Sequence, residues 1–188
     1  MIGKMLKCCA AAVAVFSLCA TISAADLVDN PRYQEWSKYK PGTLIKMDMT
    51  TAMGEQKIKS AITTTLKEVT PEKVVIEMKT SMGMPGMAPQ ENVISRIEPA
   101  KIEKTKIRPV TPEEIPNCKV ISKGAEDLKI GDKTYKCNWY EVEMEQQGMK
   151  LKSKMWTCDD VVDKLVKNEI KMDMGNTTMV LVEFKAIK

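Results

Sequence analysis

Apolar and polar side chains alternate with a period of two along most of this chain. In "LIKMDMTTAM" Ile45, Met47 and Met49 share one face, while Lys46 and Asp48 take the other. Ile58, Ile62 and Leu66 likewise share one face in "KIKSAITTTLKEV", as do Val74, Ile76 and Met78 in "VVIEMKTSM" and Val180, Val182 and Phe184 in "TTMVLVEFKAIK". A strand points successive side chains to opposite sides, so this alternation predicts half-buried strands. Turn residues separate them: Gly54, "TPEK", "GMPGMAPQ", "RPVTPEEIPNC", a type II′-like Gly131-Asp132 and Gly175-Asn176. Only "DNPRYQEWSKYK" reads as helix, with Asn30 as N-cap, Pro31 in the first turn, Tyr33 and Trp36 on one face, and "PGT" as its stop. Short strands with frequent turns and no intervening helices predict an antiparallel all-β domain. The expected architecture is a strongly curved sheet or half-barrel of about 8–10 strands with one short N-terminal helix; a β-sandwich is the alternative.

The stretch "CNWYEVEMEQQGMKLKSKMWTC", residues 137–158, mirrors itself with acids exchanged for bases. A two-residue Gln147-Gly148 turn sets Gln146 opposite Met149. Glu145 then faces Lys150, Glu143 faces Lys152, Glu141 faces Lys154, Trp139 faces Trp156 and Cys137 faces Cys158. Successive opposite-charge pairs favour this register, and a one-residue slip loses all of them. Counted outward from the closing pair, Cys137–Cys158 falls on a non-hydrogen-bonded site. Such sites bring side chains closest and suit the disulfide Cβ separation of about 3.8 Å. A cross-strand Cys137–Cys158 disulfide is therefore expected; Cys118–Cys137 is the rival the sequence leaves open. The apolar side of this strand also changes, from Tyr135 and Trp139 to Tyr140, Val142 and Met144, as in a strand that bends, bulges or is covered on both sides.

The start of the chain breaks the alternation. Lys4 and Lys7 precede an apolar run from Cys8 to about Ile22, and the small residues Ser23, Ala24 and Ala25 precede Asp26. This is the pattern of a secretory signal peptide, residues 1–25, cleaved after Ala25 or after Ala24. The run is short of the about 20 residues a membrane span needs. Residues 26–188 then form one exported domain, periplasmic or secreted, with no transmembrane span. Removing Lys4 and Lys7 from 29 basic residues leaves 27 against 25 acidic ones, a net charge of +2. That balance argues against a nucleic-acid partner. Lys104, Lys106 and Arg108 alternate in "KTKIRP" and read as a lysine-blunted edge strand.

No histidine occurs, which removes the commonest general base and metal ligand. No phosphate-binding glycine loop or nucleophile elbow occurs, and the carboxylates lie in ladders facing lysines. The expectation is a protein that is not an enzyme and holds no cofactor. Two features suggest binding. Met82, Met84 and Met87 in "MGMPGM" are closely spaced thioethers of the kind Cu(I) accepts, although methionine also serves as a core filler. Trp139 and Trp156 form a possible aromatic platform, although such pairs more often pack beneath another element.

Three blocks carry a resemblance: "EWSKYKPGTLIKM", "GAEDLKIGDKTYKCNWYEVE" and "MWTCDDVV". They resemble small exported β-rich proteins of unknown function from environmental bacteria, with their W-x-x-Y/F-x-P-G-T, E-x-L-x-I-x-G-K-x-Y-x-C and W-x-S-D-x-V-P-G patterns. Trp36, Pro41, Gly42, Glu126, Leu128, Gly131, Lys133, Tyr135, Cys137, Trp156 and Val161 fit. Cys158 stands where the pattern has serine, and Val162-Asp163 where it has Pro-Gly. The layout is distantly similar to the half-barrels of periplasmic lipoprotein carriers. The expected function is a non-catalytic envelope protein sheltering an apolar ligand or protein partner. The alternatives are a Cu(I)-binding periplasmic protein and an envelope or matrix interaction protein.

Overall fold

The alternating segments pair in the order that their turns dictate, hairpin by hairpin. A computed structural model describes residues 26–83, 88–107, 109, 112–146, 149–172 and 175–188, so residues 1–25, the expected signal peptide, lie outside the described residues. After β1 (Leu27–Asp29) and α1 (Pro31–Trp36) come β2 (Leu44–Met53), β3 (Gln56–Val69), β4 (Lys73–Gly83), β5 (Gln90–Pro99) and β6 (Lys101–Glu103). Then follow β7 (Cys118–Ile130), β8 (Lys133–Gln146), β9 (Met149–Thr157), β10 (Leu165–Met172) and β11 (Gly175–Lys185). Nine strands make one antiparallel sheet in the order β5-β4-β3-β2-β11-β10-β9-β8-β7, and β1 pairs with β6 separately. The sheet stays open, with β5 and β7 as its edges, and the described residues form no second large sheet of the kind a sandwich needs.

The helix forms as its residues require. Asn30 Oδ1 accepts from Arg32 N at 3.0 Å, Pro31 occupies the first turn, and Trp36 is fully buried. Gly42, at φ 94°, then turns the chain into β2. The Gly131-Asp132 turn is as expected: Ile130 pairs with Lys133, and Gly131 has φ 56°. The expected Gly175-Asn176 turn is corrected. Both residues are paired in β11, Gly175 with Met172 and Asn176 with Lys171, so the chain reverses between Met172 and Gly175. Glycine is needed there because a Cβ would collide with the Ala52 carbonyl oxygen. The lysine-blunted edge strand is corrected too, since Lys104–Lys106 form a 3₁₀ turn.

The mirrored hairpin has the register its charges imply. Glu145 pairs with Lys150, Glu143 with Lys152, Glu141 with Lys154 and Trp139 with Trp156. Lys152 Nζ sits 2.9 Å from Glu143 Oε1. The turn residues Gln147 and Gly148 lie outside the described residues. The change of core side is also present: Tyr135 and Cys137 are buried on one face of β8 and Val142 on the other.

Arg32 shows how far the sheet curls. Its Nε is 3.6 Å from Glu98 on β5, and its Nη2 is 3.0 Å from Asp163, between β9 and β10. Strands lie about 4.8 Å apart, so in a flat sheet β5 and β10 would be separated by roughly 24 Å. One guanidinium spans both only because the sheet wraps around α1. The core sits in that wrap, where Trp36 joins Ile45, Leu66, Val74, Ile76 and Leu181.

Candidate functional site

Following the ladders across the sheet puts one residue type on one side. Met49 lies opposite Met179 on β11 and opposite Ser60 on β3, which is itself opposite Met82 on β4. Met179 faces Asn168, Asn168 faces Met155, and Met155 faces Tyr140. By the two-residue period, Met47 and Met53 share the side of Met49, Met78 that of Met82, Met144 that of Tyr140, and Met172 that of Asn168. These nine methionine side chains therefore lie on one face. This is also the face on which α1 sits, through Ile45, Leu66, Val74 and Ile76. The helix covers only the end nearest the β3–β4 turn, where Tyr33 Oη donates to the Thr70 carbonyl. Met47 is buried, most of the others are half-buried, and Met53, Met82 and Met172 are 42%, 38% and 38% exposed. The opposite face carries Glu141, Glu143, Lys152, Lys154, Lys79 and Glu77.

The connection from β6 to β7 must travel from one sheet edge to the other, and it crosses the methionine face. Ile102, Lys106, Ile107, Pro109 and Pro112 look across a cleft of about 680 Å³ at Asn138, Tyr140, Met155 and Thr157. That volume suits a small ligand. The end wall is charged and comes from α1, the end of β5 and the turn after β9: Arg32, Glu35, Glu98, Asp159, Asp163 and Lys164. Asp163 accepts from Arg32 at 3.0 Å and from Trp36 Nε1 at 3.1 Å. Asp163 and Lys164 both hold positive φ, 62° and 59°. Burial pushes the Glu35 carboxyl up, against the pull of Lys164.

The tryptophan pair lies on the other face and is already engaged. Trp156 is buried, its Nε1 donates to Glu126, and Lys154 and Lys167 hold their ammonium groups 4.8 and 4.6 Å from its ring centre. Lys154 also stands 4.3 Å from the half-buried Trp139 ring. That ring crosses β7 at Gly124, where a Cβ would lie 2.8 Å from Trp139 Cζ2. Lysine thus sits over both rings.

The expected Cys137–Cys158 disulfide is corrected. Both are buried free thiols, and the half-buried Cys118 is free as well. The β8–β9 ladder ends at Asn138–Thr157, and Cys158 N instead bonds the Lys164 carbonyl at 2.8 Å, so the chain leaves the ladder before a cross-strand pair forms. Burial, aided by Cys158, pushes the Cys137 thiol up to about 11, which suppresses the thiolate. Cys118 is also raised by burial. Of the thioether set, Met82 lies one residue before the end of β4, while Met84 and Met87 lie outside the described residues. No cluster of three or more His, Cys, Asp or Glu side chains that could hold a metal occurs among the described residues. No helix among them is long and apolar enough to cross a membrane.

The sequence reading listed the strands but missed the shared methionine face. Its signal was present in the parity shared by Met47, Met49 and Met53 on β2 and by Met78 and Met82 on β4, but it became visible only once the strand order was known.

No family model matches the chain, and no curated protein matches it. Three solved structures share part of the layout. An inferred exported protein with a YMCC-like fold from Bacteroides fragilis is 10% identical over 78% of this chain and 97% of its own, with a TM-score of 0.41. An inferred lipoprotein from Parabacteroides distasonis is 12% identical over 78% and 96%, with a TM-score of 0.43. A DUF1329 family protein from Desulfovibrio piger is 10% identical over 82% and 89%, with a TM-score of 0.29.

Proposed function

We propose that this chain is a non-catalytic exported envelope protein whose methionine-lined face shelters an apolar ligand or an apolar segment of a partner. The observation that carries the reading is the placement of the nine methionine side chains on one face, with only Met47 buried. Methionine is unbranched and polarizable, and it adapts to ligands of varied shape. Apolar surface of this kind left open to water marks a binding site more often than a packing accident. The cleft beside Met155 and Tyr140 extends that surface beneath a crossing segment. Export rests on the lysine-apolar-small pattern of residues 1–25. The absence of histidine and the suppressed Cys137 thiolate support a non-catalytic role.

Native mass spectrometry of the mature protein purified from its own host, with titration of an environment-sensitive apolar dye, tests the reading. The expected result is added organic mass, or dye binding that Met155→Lys and Met49→Lys each weaken at least tenfold. A bare protein that binds no dye overturns it.

A further inference from the structure

The two edges of the sheet are built differently. β7 carries a register break between Val120 and Ser122 and the lysines Lys119, Lys123 and Lys129, all of which obstruct pairing with another strand. β5 has none of these defences. It pairs with β4 without a register break from Gln90 to Pro99, and it contains no lysine or glycine. Its aliphatic side chains stand open on both faces: Val93 is 54% exposed, Ile94 49% and Ile97 60%. A straight apolar edge of this kind is a template for an added strand.

We propose that β5 pairs antiparallel with β5 of a second copy of this chain, joining two sheets across a two-fold axis. Symmetry restricts the register. A two-fold axis perpendicular to the sheet keeps each residue on its own face, so one residue must lie opposite itself. Centring on Arg96 opposes two guanidiniums, which like-charge repulsion disfavours. Centring on Ser95 sets Val93 opposite Ile97 of the partner subunit and Ile97 opposite the partner's Val93. The two most exposed aliphatics of β5 are thereby buried against each other twice. On the other face Ile94 meets the stem of the partner's Arg96, and Asn92 meets the partner's Glu98, so no like charges are directly opposed. Pairing stops at Pro99, which has no N–H to give and whose carbonyl already accepts from Asn30 Nδ2 at 2.9 Å. The partner is therefore this chain itself, selected by the symmetric spacing of Val93 and Ile97 about Ser95 in an edge with no like charges opposed.

Sedimentation of the mature protein, with cysteine placed singly at positions 92 to 96, tests the proposal. The expected result is a concentration-dependent dimer, shifted at least tenfold toward monomer by Val93→Lys or Ile97→Lys while the circular dichroism is unchanged. Ser95→Cys should cross-link to its own copy more readily than cysteine at the neighbouring positions. Because β7 is the control edge, Ile121→Lys should leave the dimer intact. A monomer at all accessible concentrations, a dimer indifferent to the lysine variants, or self-cross-linking strongest away from position 95 would each overturn the proposal.

Discussion

Arg32 Nη2 lies 3.0 Å from Asp163 Oδ2, and Asp163 holds this contact from a left-handed backbone with φ 62°. Glycine is the residue for which such a backbone is least costly. The aspartate accepts the conformational strain and in return ties α1 to the turn after β9 through Arg32 and Trp36. Strain of this kind persists only where surrounding contacts enforce it.

Replacing Asp163 should separate the two effects. Asp163→Ala keeps the strained backbone and loses both contacts, with an expected cost of about 2–3 kcal/mol. Asp163→Gly loses the same contacts but relaxes the backbone, so it should be about 1 kcal/mol more stable than the alanine variant. Urea denaturation measures both. If the alanine variant matches the wild type, the Arg32 and Trp36 contacts contribute nothing to stability.

Gly124 should resist substitution because the Trp139 ring already fills its Cβ position. Gly124→Ala is expected to cost about 1–3 kcal/mol through overpacking and to change the tryptophan fluorescence. Adding Trp139→Leu should remove most of the penalty specific to alanine, giving a non-additive double-mutant cycle. Additive losses would mean that the ring does not cross β7 at this point.

The charges of β8 and β9 should exchange. Glu143→Lys is expected to lower the thermal midpoint slightly, and Lys152→Glu in the same chain should restore it. Lys152 holds the Glu143 carboxyl below its usual range through a hydrogen bond and its charge, and Glu143 in turn raises Lys152. High salt should shrink the single-variant effect, since both groups are exposed. A double variant no better than the single one would mean that the two residues do not interact.

Glu35 sets a pH dependence of known sign. Burial raises its folded-state value above the ordinary 4.5, so in the window just above 4.5 the folded protein holds more protons than the unfolded chain. Stability assigned to Glu35 must therefore fall as pH rises through that window. Glu35→Gln should flatten this component. Comparing denaturation midpoints of the two proteins between about pH 4 and 7 checks it; an identical slope would mean that Glu35 titrates normally.

The thiols give a direct count. Unfolding the mature protein without reductant should expose three labelled cysteines. In the folded state Cys118 should label before Cys137 and Cys158, which are buried. A single labelled thiol after unfolding would mean that two of the three are joined.

Much of this architecture was local and therefore legible. Period-two alternation fixed which side chains share a face of each strand, and Asn30-Pro31 fixed the start of α1. The mirrored acids and bases fixed the β8–β9 register without any structure, because cross-strand pairs are nearest-neighbour interactions with one consistent alignment. What the sequence left open was long-range. Pairing of β2 with β11 joins the two ends of the domain, and no local pattern selects that neighbour. Without it the methionines are scattered along several strands; with it they form one face. The fate of Cys158 was decided in the same way. Its spacing placed it opposite Cys137, but the 158–164 turn bends to bring Asp163 to Arg32, 131 residues away in sequence, and takes Cys158 off the ladder. Strand spacing is a local property of the chain, whereas curvature follows from what the sheet must wrap around, and here that is Trp36 and the helix that carries it.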